Sequence, residues 1–371
     1  MNLVRNIFKK TALVLLIINF QAYGVEVIDQ NLAQKENIQN SRKLMELASA
    51  HILARAIHVA AGFKIADHLV DGPCHIHELA YKVNADHDAL YRLLRLLASN
   101  DIFFEDEYQN FSLTPLAMPL ISDHTESLQS WLANHDGDEK RWRSYGHMAY
   151  SVQTGKPAFN HVFGQGYFDF ISQDANMAKS FDEGMRNLSE KEDICIAGCY
   201  DFSPYTMVTD IGGGKGGLIS AILKLHPTLS GVLYDLPHVQ ISADAYIFEQ
   251  NLTSRTHFKS GSFFDEIPFG SDVYVLKRIL HDWDDELCIQ ILSNCRKAMK
   301  PGAKLLIIEA IVAPANNRDF AKDVDLAMLV LFGGKERTQK EWEQLLNAAN
   351  LKLLGVYLTP SMLSILEIVP N

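Results

Sequence analysis

The chain has few of the features that would place it in a special class. Its five cysteines (Cys74, Cys195, Cys199, Cys288 and Cys295) form no C-x-x-C pair and no metal-finger spacing. Neither a disulfide framework nor a structural zinc site is expected to organise it. Positive charge is in deficit: 34 Lys and Arg against 45 Asp and Glu leave a net charge of −11. That excludes the basic face a nucleic acid requires. No Gly-Lys-Ser/Thr closes the glycine-rich stretch, which removes a P-loop. The apolar run Ala12–Ile18 is too short for an ordinary membrane-spanning helix, so no stable membrane span is expected. What the chain does have is apolar content, 47% of 371 residues, enough for a full core and for two domains.

The N-terminus stands apart. Arg5, Lys9 and Lys10 precede Ala12–Ile18, and Ala22-Tyr23-Gly24 follows with small residues. Residues 1–24 therefore resemble a secretory signal peptide. That conflicts with the sparse, odd cysteine count of a reduced compartment, and the location stays open between cytoplasm and export. Residues 25–40 are polar and read as a linker.

From Ser41 the pattern is helical, with Leu44, Leu47, Ala48, His51 and Ile52 recurring at three and four and a second apolar helix over Ala54–Leu69. Asp71-Gly72-Pro73 breaks it. Helices over Ile76–Val83 and Asp88–Ser99 and a hairpin, Phe103–Glu107 with Asn110–Leu113, come next. Helices, a turn and a wing make a winged-helix shape over residues 41–120. Its second helix offers only Arg92 and Arg95 to DNA, so a packing or dimerisation role is expected. Residues 121–200 read as aromatic-rich helices bridging to the C-terminal half of the chain.

That C-terminal half alternates strand and helix. Strands over Tyr205–Thr209, Ser230–Tyr234, Asp272–Lys277 and Lys304–Glu309 alternate with helices over Leu218–Leu225, Asp284–Met299 and Leu326–Leu331. Thr338-Gln339-Lys340-Glu341 is a capping box, and Leu353–Leu358 and Leu363–Val369 are β segments around Thr359-Pro360. A parallel α/β sheet binds its ligand at the carboxyl ends of its strands. Asp210, Asp235, Lys277 and Glu309 all stand at such ends.

Val208–Gly217, V-T-D-I-G-G-G-K-G-G, is the centre of that pattern, with five glycines in six positions. Two ligands compete for it. Gly212, Gly214 and Gly217 satisfy G-x-G-x-x-G, and Asp235 lies 18 residues on, as in a dinucleotide fold. Asp210 beside the glycines, however, repels a pyrophosphate and suits a cationic ligand without phosphates, such as S-adenosylmethionine. The motif alone leaves both a nicotinamide oxidoreductase and a methyltransferase open.

Further motifs carry a resemblance. Val208–Gly217, G-V-L-Y-D-L-P-H-V (231–239), G-S-F-F (261–264), L-K-R-I-L-H-D-W (276–283), I-E-A-I-V (308–312) and G-G-K-E-R-T (333–338) stand in the order of the plant and bacterial small-molecule O-methyltransferases. The chain resembles the caffeic acid and hydroxyindole O-methyltransferases from about residue 45 to its end. The resemblance implies a Rossmann-like seven-stranded methyltransferase sheet over 121–371, behind an N-terminal helical winged-helix dimerisation domain over 41–120. It implies a homodimer, S-adenosylmethionine as methyl donor, no metal, and a small aromatic hydroxyl as acceptor.

By the same resemblance His281 is the general base, with Glu309 and Glu336 flanking it. The chemistry is sound independently: a phenol of pKa about 10 is protonated at neutral pH, and a histidine held by a carboxylate can take its proton as the methyl arrives. All three being present argues against a retired, non-catalytic binding protein on this fold. The acidic run Asp282–Glu286 has a metal reading, which helix capping by Asp284 explains more cheaply. The donor falls to Asp210, Gly212, Gly213, Gly214, Asp235, Leu236, Ser262, Phe263 and Lys277. Asp235 would accept from ribose hydroxyls, Ser262 would replace an acid at the adenine amine, and Phe263 would pack on the adenine. Lys215 replaces a small residue and is expected to face solvent. Phe163, Met185 and Trp283 are expected to line the acceptor pocket, which the resemblance places in residues 120–190.

Overall fold

The computed structural model describes residues 30–174, 189 and 192–371. The leader-like residues 1–24 and Met185 lie outside the described residues. The chain divides into two units, Met1–Ile57 and His58–Asn371.

The first unit carries α1 (Gln30–Ala48) and the start of α2 (Ala50–Gly62). The linker expected over residues 25–40 is thus helical from Gln30 onward. The stretch lacks Gly and Pro, and its commonest residues are Gln and Asn, three of each; it is polar, but nothing in it breaks a helix. Leu44, Met45 and Leu47 are each more than 60% exposed, and Ile52 is 54% exposed. Their helical spacing leaves an apolar face open to solvent. Glu36–Gly62 has the length and hydropathy to cross a membrane, with 22% of its window buried. The helix expected to run to Leu69 stops at Gly62, and Lys64 turns left-handed before a separate 3-10 turn, Asp67–Leu69.

In the second unit α3 (Ile76–Lys82) and α4 (His87–Ala98) precede the expected hairpin, β2 (Phe103–Glu105) with β3 (Asn110–Leu113). Asp86 caps α4 by accepting from the Ala89 amide at 2.9 Å, and Leu90, Leu94 and Leu97 bury its apolar stripe. The two-residue strand β1 (Cys74–His75) adds a third strand to this small sheet. It is too short for any periodicity to announce it. Four short helices come next, α5 (Glu139–Gly146), α6 (Met148–Thr154), α7 (Ala158–Phe163) and α8 (Tyr167–Ser172). Phe159, Tyr167 and Ile171 form a cluster with Val330 and Leu331, so several of the aromatics expected here are core.

The main sheet has the strand order β6-β5-β4-β7-β8-β10-β9. Its strands are β4 (Met207–Ile211), β5 (Ser230–Asp235), β6 (Thr256–Ser260), β7 (Val273–Lys277), β8 (Lys304–Ala310), β9 (Leu351–Leu358) and β10 (Leu363–Pro370). All neighbouring pairs are parallel except those of β10, which runs antiparallel to β8 and β9. Helices cover both faces, so the central strands are buried along most of their length and mostly apolar. Val273 and Val275 face a cluster with α9 (Gly217–Leu225), while Tyr274 and Leu276 face one with α11 (Asp285–Ala298) and α13 (Gln339–Ala348). That alternation is the period of a strand. α10 (Gln240–Glu249) links β5 to β6, and α12 (Ala321–Leu331) comes after β8. β6 and α10 go beyond the sequence expectation: β6 is an edge strand, mostly exposed, with no apolar alternation to mark it. Asp284 is the cap of α11 and Thr338 with Glu341 forms both bonds of the capping box, as expected.

The parallel register sets Lys277 opposite Ile308 and Asp210 opposite Leu233 and Val275. The carboxyl ends of β4, β5, β7 and β8 therefore form one edge, and the loops leaving that edge build the site.

Candidate active site

The first part of the site is the turn from β4 into α9. Gly212 sits at φ +68°, and a Cβ there would come within 2.6 Å of the Ile279 δ-carbon. A Cβ on Gly213 would meet the Asp210 carboxylate at 2.5 Å. Glycine takes the first backbone shape without strain and without meeting Ile279, and at the second it leaves room for the acid. Asp235, at the end of β5, accepts from the Gly214 amide at 2.8 Å and from the Leu236 amide at 2.6 Å. The expectation gave this carboxylate to ribose alone. It also shapes the glycine turn, and its remaining lone pairs are what a hydroxyl could use.

The turn is acidic and buried. Asp210 is 2% exposed, and its Oδ2 has no hydrogen-bond partner among the described residues. Burial and the nearby charges of Asp193 and Asp235 push its carboxyl up to about 7 against the opposing pull of Lys277. Lys277 itself is held by Asp193 at 2.6 Å, with Glu192 at 3.6 Å, and Arg278 forms a fork with Glu192 at 2.8 and 3.2 Å. Glu192, Asp193 and Arg278 are absent from the sequence-based set. Their pairing spans more than 80 residues, and no local pattern reports it. A buried carboxylate with an orphaned oxygen fits a ligand carrying positive charge and disfavours a pyrophosphate.

Phe263 lies against this turn, 3.6 Å from where a Gly212 Cβ would stand. Ser262 uses its hydroxyl oxygen to accept from the Phe264 amide at 3.2 Å, so it holds a local turn. Lys215 is half-buried on the same loop. Trp283, expected at the acceptor pocket, packs among aromatic side chains. Its ring meets Phe264 edge-on at 4.9 Å and Phe263 at 6.2 Å, so it belongs with the aromatics beside the glycine turn. Phe163 packs in another cluster, against Phe159 at 4.6 Å and Phe170 at 5.0 Å, with the Arg143 guanidinium 5.1 Å from its ring. Phe163 and Trp283 thus pack in different aromatic clusters, and Met185 lies outside the described residues.

The second part is a cluster of side chains beyond β7. His281 lies in a 3-10 turn, Leu280–Asp282, and is 7% exposed. Its Nδ1 stands 2.7 Å from Glu336 Oε1 and 3.8 Å from Glu309 Oε2. A carboxylate can only accept, so Nδ1 carries the proton and Nε2 is left as the basic atom. Glu309, on β8 and fully buried, accepts from the Ile279 and Leu280 amides through Oε1, each at 2.9 Å. That bond fixes the turn carrying the histidine. Glu336, 2% exposed, receives its place from the loop behind it: the Lys335 amide donates to the His281 carbonyl at 2.8 Å, and the Glu336 amide donates to Asp325 at 2.9 Å. Gly334 presses so closely on the His281 carbonyl that a Cβ would overlap it.

Burial alone would lower the His281 pKa. The charges of Glu309, Asp282 and Glu336 overcome it and raise the value to about 9. Burial pushes the Glu309 carboxyl up as well. The ligand atoms of His281, Glu309 and Glu336 lie within 4.8 Å of one another, a spacing that also meets a metal ion; the 2.7 Å contact is that of a hydrogen bond. His281, Glu309 and Glu336 thus meet as a set, reached from three separate loops and strands.

Comparison with known proteins agrees with this architecture. Residues 145–352 match the O-methyltransferase domain and residues 45–123 the O-methyltransferase dimerisation domain. The phenazine O-methyltransferase PhzM of Lysobacter antibioticus is 38% identical over 327 residues, 88% of this chain and 95% of that protein. The 2,7-dihydroxy-5-methyl-1-naphthoate 7-O-methyltransferase of Streptomyces carzinostaticus is 34% identical over 316 residues, 85% of this chain and 93% of that protein. Among solved structures, the O-methyltransferase NcsB1 from neocarzinostatin biosynthesis, in complex with S-adenosylmethionine and 2-hydroxy-5-methyl naphthoic acid, superposes with a TM-score of 0.74 at 34% identity. It covers 86% of this chain and 96% of that one.

Proposed function

The chain belongs to the S-adenosylmethionine-dependent O-methyltransferase family, and from that premise we propose that it methylates a hydroxyl of a small planar aromatic acceptor with His281 as general base. The observation that carries the reading is the buried His281–Glu336 hydrogen bond of 2.7 Å at the same sheet edge as the acidic glycine turn. The relatives named for phenazine and naphthoate acceptors support the acceptor class.

Bound S-adenosylmethionine supplies an electrophilic methyl on a sulfonium. Asp210, the Gly212–Gly214 turn, Asp235, Leu236, Ser262, Phe263 and Lys277 would hold it, with Trp283 joining Phe263 on that side. His281 takes the acceptor's proton at Nε2 while Glu336 keeps Nδ1 protonated and stabilises the imidazolium. Glu309 holds the turn and adds negative charge. In the ligand-free protein these charges keep His281 protonated at neutral pH. His281 must give up that proton before Nε2 can act as base, and positive charge held at the neighbouring turn would favour its loss. Holding the two reactants in line supplies much of the remaining rate. Phe163 and Met185 stand as acceptor-side residues of the helical segment 121–200. A nicotinamide oxidoreductase is not favoured, since Asp210 would face its pyrophosphate.

The proposed enzyme is a homodimer formed through residues 41–120, read as a winged-helix dimerisation domain, with 121–371 as the catalytic domain. The match of residues 45–123 to a dimerisation domain and the exposed apolar face of Leu44, Met45, Leu47 and Ile52 support this. The intracellular origin of the donor supports a cytoplasmic location, and the signal-like residues 1–24 stand against it.

The test is transfer of labelled methyl from S-adenosylmethionine to a panel of phenols, hydroxynaphthoates and hydroxyphenazines. Label in an ether product is the expected result. Donor binding without transfer to any acceptor would overturn the base assignment or the acceptor class.

A further inference from the structure

We propose that Arg337 is a positioning residue that sets the His281–Glu336 pair by clamping together the two loops that carry them. The proposal rests on the reading of His281 as the base. Arg337 comes directly after Glu336 and is fully buried. Its Nη1 donates to the Leu280 carbonyl at 3.0 Å and the Lys335 carbonyl at 3.3 Å. Its Nη2 donates to the Trp283 carbonyl at 3.1 Å and to Asp285 at 2.7 Å, and Nε donates to the same Asp285 oxygen at 3.1 Å.

The placement of those acceptors is what matters. Leu280 and Trp283 bracket His281, and Lys335 immediately precedes Glu336. One planar fork therefore bonds the main chain on both sides of the base and the main chain leading into its carboxylate partner. The His281 ring and the Glu336 carboxylate meet across 55 residues, and outside this fork the amide of Lys335 on the His281 carbonyl also ties the loops together. The guanidinium lies 5.3 Å from the Trp342 ring, which closes its other side.

Burying a guanidinium is costly unless its donors are satisfied. Here its one anionic partner, Asp285, has a side chain 59% exposed, so the pair is only half withdrawn from water. A simple stabilising ion pair would not need the three carbonyls. Lysine could not reproduce the arrangement, since its ammonium is a point charge without the planar fork. Arg337 touches neither reacting atom; it acts through His281 and Glu336.

The test compares Arg337→Lys and Asp285→Asn with the wild-type full chain, and with His281→Ala as the reference for the base reading. Arg337→Lys is expected to cut kcat about 10–100-fold, the scale of a small misplacement of a catalytic group, with donor affinity unchanged. The rising limb of its pH–rate profile should move toward acid, because a loosened Glu336 supports the imidazolium less. The downfield proton resonance of the His281 imidazole N–H should weaken or shift with it. Asp285→Asn removes one anchor of the clamp and should show the same changes at smaller size, which keeps the test available if Arg337→Lys does not fold. Unchanged pH limb and imidazole resonance in Asp285→Asn, or an Arg337→Lys enzyme that loses turnover and donor binding in proportion with the limb unmoved, would overturn the proposal. Full turnover in His281→Ala would instead sink the base reading, whatever Arg337 does.

Discussion

The glycine turn and the His281 cluster share one sheet edge but are assembled in opposite ways. The turn is one contiguous piece of main chain between β4 and α9, closed by a single carboxylate from the adjacent strand. The cluster is three side chains from distant parts of the chain, joined by hydrogen bonds that span 29 to 55 residues. A contiguous backbone site can be damaged only through its local shape or the acids, Asp210 and Asp235, that stand against it. A composite side-chain site can be damaged from any of its loops. Changes to the turn should therefore act on donor affinity, and changes to the cluster on turnover.

The largest effect should come from loss of the base. His281→Ala is expected to lower kcat by about 10²–10⁴, the usual reach of general base catalysis, with donor affinity near that of the wild type. Steady-state kinetics alongside a calorimetric donor titration would measure both. A variant losing affinity and keeping turnover would erase the division between the two regions.

Gly212→Ala probes the other side. The backbone there is left-handed and the Ile279 side chain stands where a Cβ would go. Strain of about 1–3 kcal/mol is typical of a non-glycine residue in such a place. Affinity for S-adenosylhomocysteine is expected to fall about 10–100-fold, while kcat at saturating donor changes much less. Unaltered affinity would mean that the turn is not the donor site.

The same contrast explains what the sequence made readable. The glycine turn, the Asp284 cap and the Thr338–Glu341 box are local, so residue order alone specifies them, and the structure has them with the expected partners. Glu309 was legible because strand ends in a parallel sheet converge whatever the details of packing, and His281 and Glu336 through the family resemblance that their motifs carry. Glu192, Asp193, Arg278 and Arg337 were not. Each is a charge whose significance lies in a partner tens of residues away, and by residue type alone each would be assigned to a solvated surface. Trp283 shows the same limit: residue order does not report its packing against Phe263 and Phe264. The polar helix from Gln30 was missed for a simpler reason: low hydrophobicity reads as a linker, although nothing in that stretch breaks a helix.

The smallest expected effect is the most specific to the cluster. The His281 pKa is raised to about 9 from an ordinary value near 6.5 by Glu309, Asp282 and Glu336 acting against burial. For the free enzyme, kcat/KM should therefore rise as pH increases toward about 9 and the imidazolium gives up its proton. A group whose pKa is raised on folding contributes stability that is complete below its unfolded value. That contribution is lost as pH climbs through the folded value. Turnover and stability thus change in opposite directions over the same interval. Glu336→Gln removes one of the supporting charges and leaves a hydrogen-bond acceptor. It should move the rising limb toward acid and weaken the loss of stability between about pH 6.5 and 9, with the plateau rate reduced because the base is held less firmly. Melting temperatures and kcat/KM recorded across that interval would test both signs at once. A limb displaced with no matching change in the pH dependence of melting would mean that the rate follows the acceptor's ionisation, and that His281 does not set it.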